Sequence, residues 1–324
     1  MTIECLSTNV RTHIGILKNG NSVEFKAVKI SGQKKAISVN NTCSFDSVVQ
    51  AFAAAYCDSE RIRNDVDSSS NIPILNLAKY LATKGVNKKA YEMRAAILSS
   101  IFTPTEIKTG LLNVDCVCNV FFVIQKTLVN FPSVVEKRQC SSTYCSLRSD
   151  LRRLPVLAPD LNRIKQLGIS ALQSSVIQAL ARGETLCRRP LDLSDQVPAE
   201  AKYFDPDQSK TSVLCKGLLS YTVDVKTHLF VDFSSSSEKL SSSSKNEGEF
   251  PLSCVPSFLR VSGKEFHLRS VVAFRSPTGS GIGHYVVYCR RVDGVWEKYD
   301  DLSGKVQISS GATVVMPHQI LYTI

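Results

Sequence analysis

The sequence predicts an α+β fold in which helices come first along the chain and strands come last. Apolar residues recur at helical spacing from Cys43 to about residue 130, and alternating, β-branched segments predominate from about Val213. The chain has 324 residues, of which 43% are hydrophobic, so it is long enough to bury a substantial core. Because helices and strands are segregated along the chain, a doubly wound sheet is not expected.

The first half of the chain predicts short strands and then helices. Residues 14–38 alternate and predict one or two short strands with KNGNS as the turn, and VEFKAVKIS fits a strand. A helix is predicted from Cys43 to about Tyr56. Further helices are predicted at NIPILNLAKYLAT, KAYEMRAAILSSIF and DCVCNVFFVIQKTLVNF.

The second half predicts short strands, one helix and then a sheet. The stretch KRQCSSTYCSLRSDLRRLPVLAPD is typical of strands and turns, and ISALQSSVIQALARG predicts an amphipathic helix that ends at Gly183. A polar, serine-rich insertion at residues 234–249 interrupts the strands that follow.

The net charge and the distribution of cysteines indicate which partners and which cellular compartment fit the sequence. The net charge is +10, and residues 136–190 carry ten Lys and Arg against four Asp and Glu, which indicates either a solvated basic face or an acidic partner. No nucleic-acid-binding motif accompanies this charge, so nucleic acid is not the favoured partner. The eleven cysteines are scattered and odd in number, which favours a reducing intracellular compartment, cytoplasmic or nuclear, over a disulfide framework.

No membrane segment is expected. No apolar run approaches the roughly 18 residues of a transmembrane helix. The N-terminal stretch MTIECLSTNVRTHIG is too polar for a secretory signal.

Cys43 stands at the predicted start of the first helix, in the stretch NTCSFDSVVQ. The free N–H groups and the dipole of a helix N-terminus favour negative charge, so a thiol in this place ionises more readily. Asn41 or Thr42 could cap the helix. Cysteine is also a small hydrophobe that packs well in cores, so Cys43 is a candidate nucleophile only if the chain supplies a base.

The base is predicted near the C-terminus, in the stretch GSGIGHYVVYCRRVDGVWEKYDDLSG. His284 opens a strand, VDG makes a turn, and the returning strand brings Asp300 back beside His284. A carboxylate in this place fixes the tautomer of the imidazole, which can then accept the thiol proton. The alternative is a surface histidine bonded to an aspartate.

Together, these two stretches resemble the Cys and His boxes of the ubiquitin-specific proteases, which are papain-like deubiquitinases. The family's Cys box reads like GNTCYMNSxLQ, and this chain matches it at Asn41, Thr42, Cys43, Ser47 and Gln50. The His box reads like GHYxxY, then W and YDD, and is matched by Gly283, His284, Tyr285, Tyr288, Trp296, Tyr299, Asp300 and Asp301. The resemblance is strong in the two boxes and faint between them.

The resemblance implies a papain-like cysteine peptidase with a helical thumb, β fingers and a β palm. The catalytic domain would cover residues 37–324, after a separate N-terminal strand segment at residues 1–36. Within it, the thumb would cover about 37–135, the fingers about 136–235 and the palm about 250–324.

The resemblance also implies the reaction. Ubiquitin or a ubiquitin-like protein would be removed from conjugates through a thioester intermediate. Cys43 would be the nucleophile, His284 the general base and acid, and Asp300 the residue that orients His284. Contacts with the substrate would come from Gln50, Gly283 and Tyr285.

The chain departs from the family pattern around the oxyanion hole. The family usually has asparagine five residues before the nucleophile, where this chain has Ser38, and glycine three before, where it has Asn40. The asparagine three residues after the nucleophile is replaced by Asp46. The Cys43 backbone N–H could supply one oxyanion donor, and Ser38, Asn40 or Asn41 could supply another.

No cofactor is expected for the reaction, but the fingers of this family often carry zinc on two CxxC pairs. Here Cys140 and Cys145 are spaced C-x4-C, Cys187 stands where a second pair would be, and Cys215 could complete four ligands. The alternative is a decayed site of buried thiols.

Three other functions stay open at this stage. One is a ubiquitin-binding module with an impaired oxyanion hole. Another is a thiol endoprotease or acyltransferase of a different family, and a third is a nucleic-acid-associated domain. The sequence also leaves open whether the chain comes from a mobile-element or viral polyprotein.

Overall fold

A computed structural model describes residues 13–21, 27–145, 148–189, 191, 202–204, 213–234, 248–277 and 282–324. It confirms the predicted α+β class, with helices concentrated in the first half and a long antiparallel sheet at the end. The strand predicted before KNGNS does not form, since residues 14–19 have no regular secondary structure. Of the predicted strand VEFKAVKIS, residues 23–26 lie outside the described residues, and Val28 makes only an isolated bridge to Ile37. Most of the serine-rich insertion also lies outside the described residues. No helix among the described ranges is long and apolar enough to cross a membrane.

The helices, in chain order, are α1 Cys43–Asp58, α2 Glu60–Ser68, α3 Pro73–Lys84, α4 Lys88–Ile101, α5 Val120–Thr127, α6 Leu161–Leu167 and α7 Leu172–Leu180. The strands are β1 Ala36–Asn40, β2 Thr105–Lys108, β3 Leu111–Asp115, β4 Val134–Cys140, β5 Ser149–Leu154, β6 Thr185–Leu186, β7 Lys202–Phe204, β8 Val213–Cys215, β9 Leu218–Val225, β10 His228–Asp232, β11 Phe250–Pro251, β12 Phe258–Val261, β13 Lys264–Arg275, β14 His284–Arg290, β15 Trp296–Tyr299, β16 Gln307–Ser309 and β17 Val314–Thr323.

Helix α1 is the centre of the helical half. Its sequence is apolar around most of its circumference, which is typical of a fully buried helix. It packs against the helices α2, α3 and α5 and against the sheet strands β13 and β14. The first residue of α1 is therefore carried to the boundary between the helices and the large sheet.

Local signals set the ends of the surrounding helices. Pro73 occupies the first turn of α3, where its missing N–H costs nothing, and Gly85 ends the helix with φ 77°. Asn87 caps α4 by accepting hydrogen bonds from two backbone N–H groups of the first turn. Asn119 caps α5 in the same way.

One predicted helix is shorter in the structure than in the sequence analysis. The stretch DCVCNVFFVIQKTLVNF forms a helix only over α5, because its first residue, Asp115, ends strand β3. That strand pairs in parallel with β1, and this long-range pairing overrides the local helical pattern. Strands β1, β3 and β2 form a small sheet, and helix α1 begins shortly after β1 ends.

The large sheet has the strand order β10-β17-β13-β14-β15-β16, with β11 and β12 paired at its margins. The C-terminal strand β17 is central, between β10 and β13, and both of these pairings are antiparallel. Strands β14 and β15 form the predicted hairpin, in which Val287 opposes Tyr299 and Arg290 opposes Trp296. Both strands are almost wholly buried, which makes their ends well-fixed positions for functional side chains.

A smaller sheet has the order β5-β4-β9-β6, and the pair β7-β8 forms a separate two-stranded sheet from the same part of the chain. The predicted helix ISALQSSVIQALARG forms α7, which ends at Leu180 rather than at Gly183. In this region the strands are short and partly exposed, as the sequence indicates.

His228, on β10, is buried among aromatic rings and is stacked on Phe131 with ring centroids 4.7 Å apart. Neither ring nitrogen has a hydrogen-bond partner among the described residues. Burial lowers the pKa of His228 to about 3. The unfolded chain binds a proton near pH 6.5 and the folded chain does not, so His228 destabilises the fold increasingly as the pH falls below 6.5.

We therefore expect His228→Phe to gain stability over the wild type as the pH falls. The gain grows by about 1.4 kcal/mol per pH unit, or about 2 kcal/mol between pH 6.5 and pH 5. Urea unfolding at several pH values measures it, with the exposed His267→Phe as the matched control. A stability difference that does not change with pH would contradict the neutral, unpartnered state of His228.

Candidate active site

Cys43 is the first residue of α1, and its side chain is half-buried. The backbone reaches it through Asn41, which adopts a left-handed conformation with φ 55°, a region that asparagine tolerates better than most residues. Neither Asn41 nor Thr42 caps the helix with its side chain. The Thr42 hydroxyl instead donates to the Asp46 carboxylate at 2.5 Å. Only from Asp46 onward can a backbone N–H of α1 bond back to a carbonyl, as the Asp46 N–H does to Thr42 at 2.8 Å, so the N–H groups before it have no partner within the helix.

The structure places His284 beside Asp300. His284 is the first residue of β14, and Asp300 follows the last residue of β15. Because the two strands pair as a hairpin, the His284 Nε2 lies 2.9 Å from the Asp300 Oδ1. The hydrogen bond to Asp300 engages Nε2 and leaves Nδ1 as the free ring nitrogen.

Cys43 meets this pair across the boundary between α1 and the large sheet. Helix α1, which begins at Cys43, packs on β14, which begins at His284. Burial alone would lower the pKa of His284, but the Asp300 hydrogen bond, the nearby Cys43 side chain and the charge of Asp301 raise it to about 10. The site therefore favours an imidazolium beside the thiol.

Charged groups also surround Asp300. Its Oδ2 lies 2.9 Å from the Lys298 ammonium and 3.8 Å from the Arg275 guanidinium. Burial would raise the pKa of Asp300, but the hydrogen bonds to His284 and Lys298 hold it well below its usual range. The next carboxylate, Asp301, has its Oδ1 3.4 Å from the His284 Nε2, so two aspartates face one imidazole.

The three predicted oxyanion donors lie before Cys43, but each donates to a side chain on β3. The Ser38 Oγ and the Asn40 Nδ2 both donate to the Asn113 Oδ1, at 2.8 and 2.9 Å. The Asn41 Nδ2 donates to the Asp115 Oδ1 at 2.9 Å. Ser38 would have to exchange its present partner to donate to an oxyanion, whereas Asn40 and Asn41 each keep a second Nδ2 hydrogen.

The three predicted substrate contacts lie in different surroundings. Gly283 is half-buried beside His284, and a Cβ there would lie 2.0 Å from the Phe274 ring, so only glycine fits. Tyr285 is buried, and its hydroxyl is 3.0 Å from the His318 Nδ1. Gln50 is 2% exposed, and its Oε1 accepts a hydrogen bond from the Leu17 backbone.

A buried ion pair in the first turn of α1 was not predicted from the sequence. The Arg94 Nη1 lies 2.8 Å from the Asp46 Oδ2, and both side chains are about 2% exposed. Burial raises the pKa of Asp46, and the Arg94 guanidinium opposes that rise. The available signal was an arginine in the apolar stripe of α4, between Tyr91 and Leu98, because such an arginine requires a buried acidic partner.

A second cluster lies in the smaller sheet, away from Cys43. The four predicted cysteines Cys140, Cys145, Cys187 and Cys215 are all buried, and their sulfur atoms lie within 4.8 Å of one another. The sulfur atoms of Cys140 and Cys215 are 3.7 Å apart, and so are those of Cys145 and Cys187. All four are free thiols, since a disulfide requires about 2.05 Å.

These distances fit a tetrahedral thiolate zinc site. With zinc–sulfur bonds of about 2.3 Å, neighbouring sulfur atoms of a tetrahedron lie about 3.8 Å apart. The Gly217 N–H donates to the Cys215 Sγ at 3.3 Å, a contact that favours the thiolate. A Cβ at Gly217 would lie 2.6 Å from the Cys140 Sγ, so the backbone can come this close only with glycine.

Comparison with known proteins gives one sequence relative. The chain is 24% identical over 295 residues to a 120.7 kDa protein in the NOF-FB transposable element of Drosophila melanogaster. The match covers 90% of this chain and 25% of that protein, so this chain spans about a quarter of the relative's length. No protein-family model matches the chain.

Among solved structures, the chain is similar to deubiquitinase modules at low sequence identity. A SAGA DUB module with Ubp8, Sgf11, Sus1 and Sgf73, bound to monoubiquitin, has a chain that matches 97% of this one and 72% of its own length, with 12% identity and a TM-score of 0.44. The Saccharomyces cerevisiae PAN2 pseudoubiquitin-hydrolase matches 91% of this chain and 88% of its own, with 11% identity and a TM-score of 0.46.

Proposed function

We propose that this protein is a cysteine-dependent hydrolase that removes ubiquitin or a ubiquitin-like protein from conjugates, as a divergent ubiquitin-specific protease. The observation that carries the proposal is the hydrogen bond between the His284 Nε2 and the Asp300 Oδ1, beside the N-terminus of the helix that begins at Cys43 and packs on the His284 strand. These residues lie within the two stretches that resemble the family's Cys and His boxes.

The geometry supports nucleophilic catalysis in two halves. In the first half, the Cys43 sulfur attacks the carbonyl carbon of the scissile amide, and the His284 imidazolium gives its proton to the leaving amine. A thioester and a free amine result. In the second half, His284 accepts a proton from water, the hydroxide attacks the thioester carbon, and the carboxylic acid leaves as Cys43 is regenerated.

Asp300 keeps the imidazole oriented through both halves. Its bond to Nε2 fixes the ring and leaves Nδ1 to exchange a proton with Cys43, and its negative charge stabilises the imidazolium. Charge on the carbonyl oxygen would be stabilised by the Cys43 backbone N–H and by one of the side chains of Ser38, Asn40 and Asn41.

The proposed shape of the substrate tail is inferred from Gly283. The lack of a side chain there leaves Phe274 and the backbone before His284 close together, which suits an extended tail of small residues. Gln50 and Tyr285 match the family motif, but both are buried. We therefore propose that they also pack beneath the site and hold its residues in place. We further propose the division into thumb, fingers and palm at the bounds given above, in an intracellular, reducing compartment.

We also propose that Cys140, Cys145, Cys187 and Cys215 hold a structural zinc ion. The four thiols come from β4, from the turn after it, from the residue after β6 and from β8. Zinc would supply a covalent link among these short strands, and it would take no part in hydrolysis because the thiols belong to the other sheet system.

The test is labelling with ubiquitin that carries a vinyl electrophile at its C-terminus. The Cys43 sulfur would add to the vinyl group and form a stable thioether, which shifts the protein by the mass of ubiquitin. We expect the wild type to be labelled and Cys43→Ser to be unlabelled. Cys118→Ser is the matched control, because its thiol lies close by, 3.2 Å from the Ser44 hydroxyl, without belonging to the site.

One observation favours a second candidate, a ubiquitin-binding module without catalysis. All three oxyanion side chains already donate to Asn113 or Asp115. If the wild type binds ubiquitin but is not labelled, the module is supported and the hydrolase is not. If it neither binds nor is labelled, both ubiquitin proposals fail, and a different thiol enzyme or a nucleic-acid-associated domain becomes the better account.

A further inference from the structure

Residues 14–20 lie between the two halves of the candidate site. The Gly20 N–H donates to the Thr42 hydroxyl at 2.9 Å, immediately before Cys43. The N–H of the preceding residue, Asn19, donates to the Asp301 carbonyl at 3.0 Å, immediately after Asp300. The segment therefore bridges the nucleophile helix and the turn that carries the carboxylates.

The segment is held along its length. The Arg94 Nη1 donates to the Lys18 carbonyl at 2.5 Å, and the Lys18 ammonium donates to the Ser303 carbonyl at 2.9 Å. Ile14 and Leu17 are buried in the same core as α1. A Cβ at Gly20 would lie 2.0 Å from the Val39 carbonyl oxygen, so the segment can pass this close to β1 only with glycine.

The side chain of Asn19 is the part of the segment directed at the site. Asn19 is 5% exposed, and its Nδ2 donates to the Asp301 Oδ2 at 2.7 Å. The other oxygen of Asp301 is buried, has no hydrogen-bond partner among the described residues, and lies 3.4 Å from the His284 Nε2. Asn19 thus holds one oxygen of Asp301 while the other faces the imidazole.

We infer that residues 14–20 are an integral part of this site and that Asn19 is a positioning residue, which holds the Asp301 carboxylate charged and directed at His284. The inference rests on the proposed pairing of Cys43 with His284. Asn19 does not touch the reacting atoms, and it acts only through Asp301.

The electrostatic consequence follows from the groups that surround these residues. His284 faces Cys43, Asp300 and Asp301, and Asp300 is paired with Lys298 and Arg275. The charges that act on Asp301 from the packed elements are those of His284, Asp300, Arg94 and Asp46. Burial raises the pKa of Asp301 to about 6, while His284 and the Asn19 hydrogen bond oppose the rise. Without Asn19, Asp301 would hold its proton to higher pH, and the imidazolium would lose a negative neighbour.

The test measures how readily Cys43 is alkylated by iodoacetamide between pH 5 and pH 9, by mass spectrometry of its peptide. This readout requires no ubiquitin. Cys254 is exposed and serves as the reference thiol in the same molecule, while the buried Cys57 and Cys289 report unfolding if they react. The variants are Asn19→Ala, the isosteric Asp301→Asn and their combination, with Asn76→Ala on α3 as the matched control.

In the wild type, we expect Cys43 to react faster than Cys254 at pH 6, because an imidazolium stabilises the thiolate. Asn19→Ala should lower this ratio about fivefold at pH 6, the effect of one hydrogen bond, and little at pH 9. Asp301→Asn should lower it at least as much, and the double variant should show no further loss, because both substitutions remove the same interaction.

Three outcomes would overturn the inference: a profile in Asn19→Ala within twofold of the wild type, an unchanged profile in Asp301→Asn, or additive losses in the double variant. If Asn19→Ala unfolds, the pH profile of Cys43 alkylation in Asp301→Asn alone decides whether the inference holds. A wild-type Cys43 that reacts like Cys254 at every pH would instead contradict the proposed function, so the two failures are distinguishable.

Discussion

Replacing Asp300 by asparagine is expected to lower kcat for a ubiquitin-amide substrate by about 10³–10⁴, with little change in KM. The Asp300 Oδ1 holds the His284 Nε2 at 2.9 Å, so an ionised carboxylate keeps the proton on Nε2. An asparagine side chain can present its NH₂ group to Nε2, which moves the proton to Nδ1. The ring then cannot accept the proton of Cys43, and the imidazolium loses its main stabilising charge. Steady-state kinetics measures the effect.

Asp293→Asn is the matched control for this substitution. Asp293 lies in the turn between β14 and β15, where its Oδ1 accepts a hydrogen bond from the Val295 N–H at 3.0 Å. Asparagine can accept the same bond, so kcat should stay within twofold of the wild type. If Asp300→Asn retains more than a tenth of wild-type kcat, Asp300 does not orient His284 in the reaction.

Removing one thiol of the cysteine cluster is expected to have the largest effect on stability. We expect purified wild type to contain one zinc ion per chain, and Cys187→Ser to contain none. The loss should lower the free energy of unfolding by about 5 kcal/mol, since zinc binding supplies about 10–16 kcal/mol in small zinc-dependent domains. At about 2 °C per kcal/mol for a chain of this size, Tm should fall by about 10 °C.

Elemental analysis and calorimetry measure these two effects, and Cys254→Ser is the control because its exposed thiol lies outside the cluster. A strong chelator should lower the wild-type Tm towards that of Cys187→Ser and leave Cys187→Ser unchanged. Wild-type protein that contains no zinc and has the same Tm with and without chelator would show that the four thiols are only packed together.

The parts of the site that sequence analysis predicted are those that depend on short-range pairing. His284 and Asp300 are joined by one hairpin, and the turn residues and alternating pattern of the two strands are readable locally. The helix start at Cys43 was readable for the same reason. By contrast, the contact between Cys43 and His284 joins distant parts of the chain, and only the resemblance to a known family suggested it.

The cysteine cluster also combines a local feature that the sequence shows with long-range contacts that it does not show. The spacing of Cys140 and Cys145 marks one half of a zinc site, since both lie around a single turn. Cys187 and Cys215 come from separate strands, so their approach to the first pair depends on the pairing of β6 with β9 and of β7 with β8. Candidate ligands could be named from the sequence, but their tetrahedral spacing could not.

Residue types and local periodicity by themselves determined that this chain segregates helices from strands, and they marked Cys43, His284 and Asp300 as the residues to examine. Only the tertiary structure decided that residues 14–20 pass between Cys43 and Asp301, and that Arg94 neutralises the buried Asp46. Hydrogen bonds and ion pairs between residues far apart in the chain leave no periodic trace in the sequence. They form only where packing excludes water and leaves each buried polar group dependent on the partner that the fold brings to it.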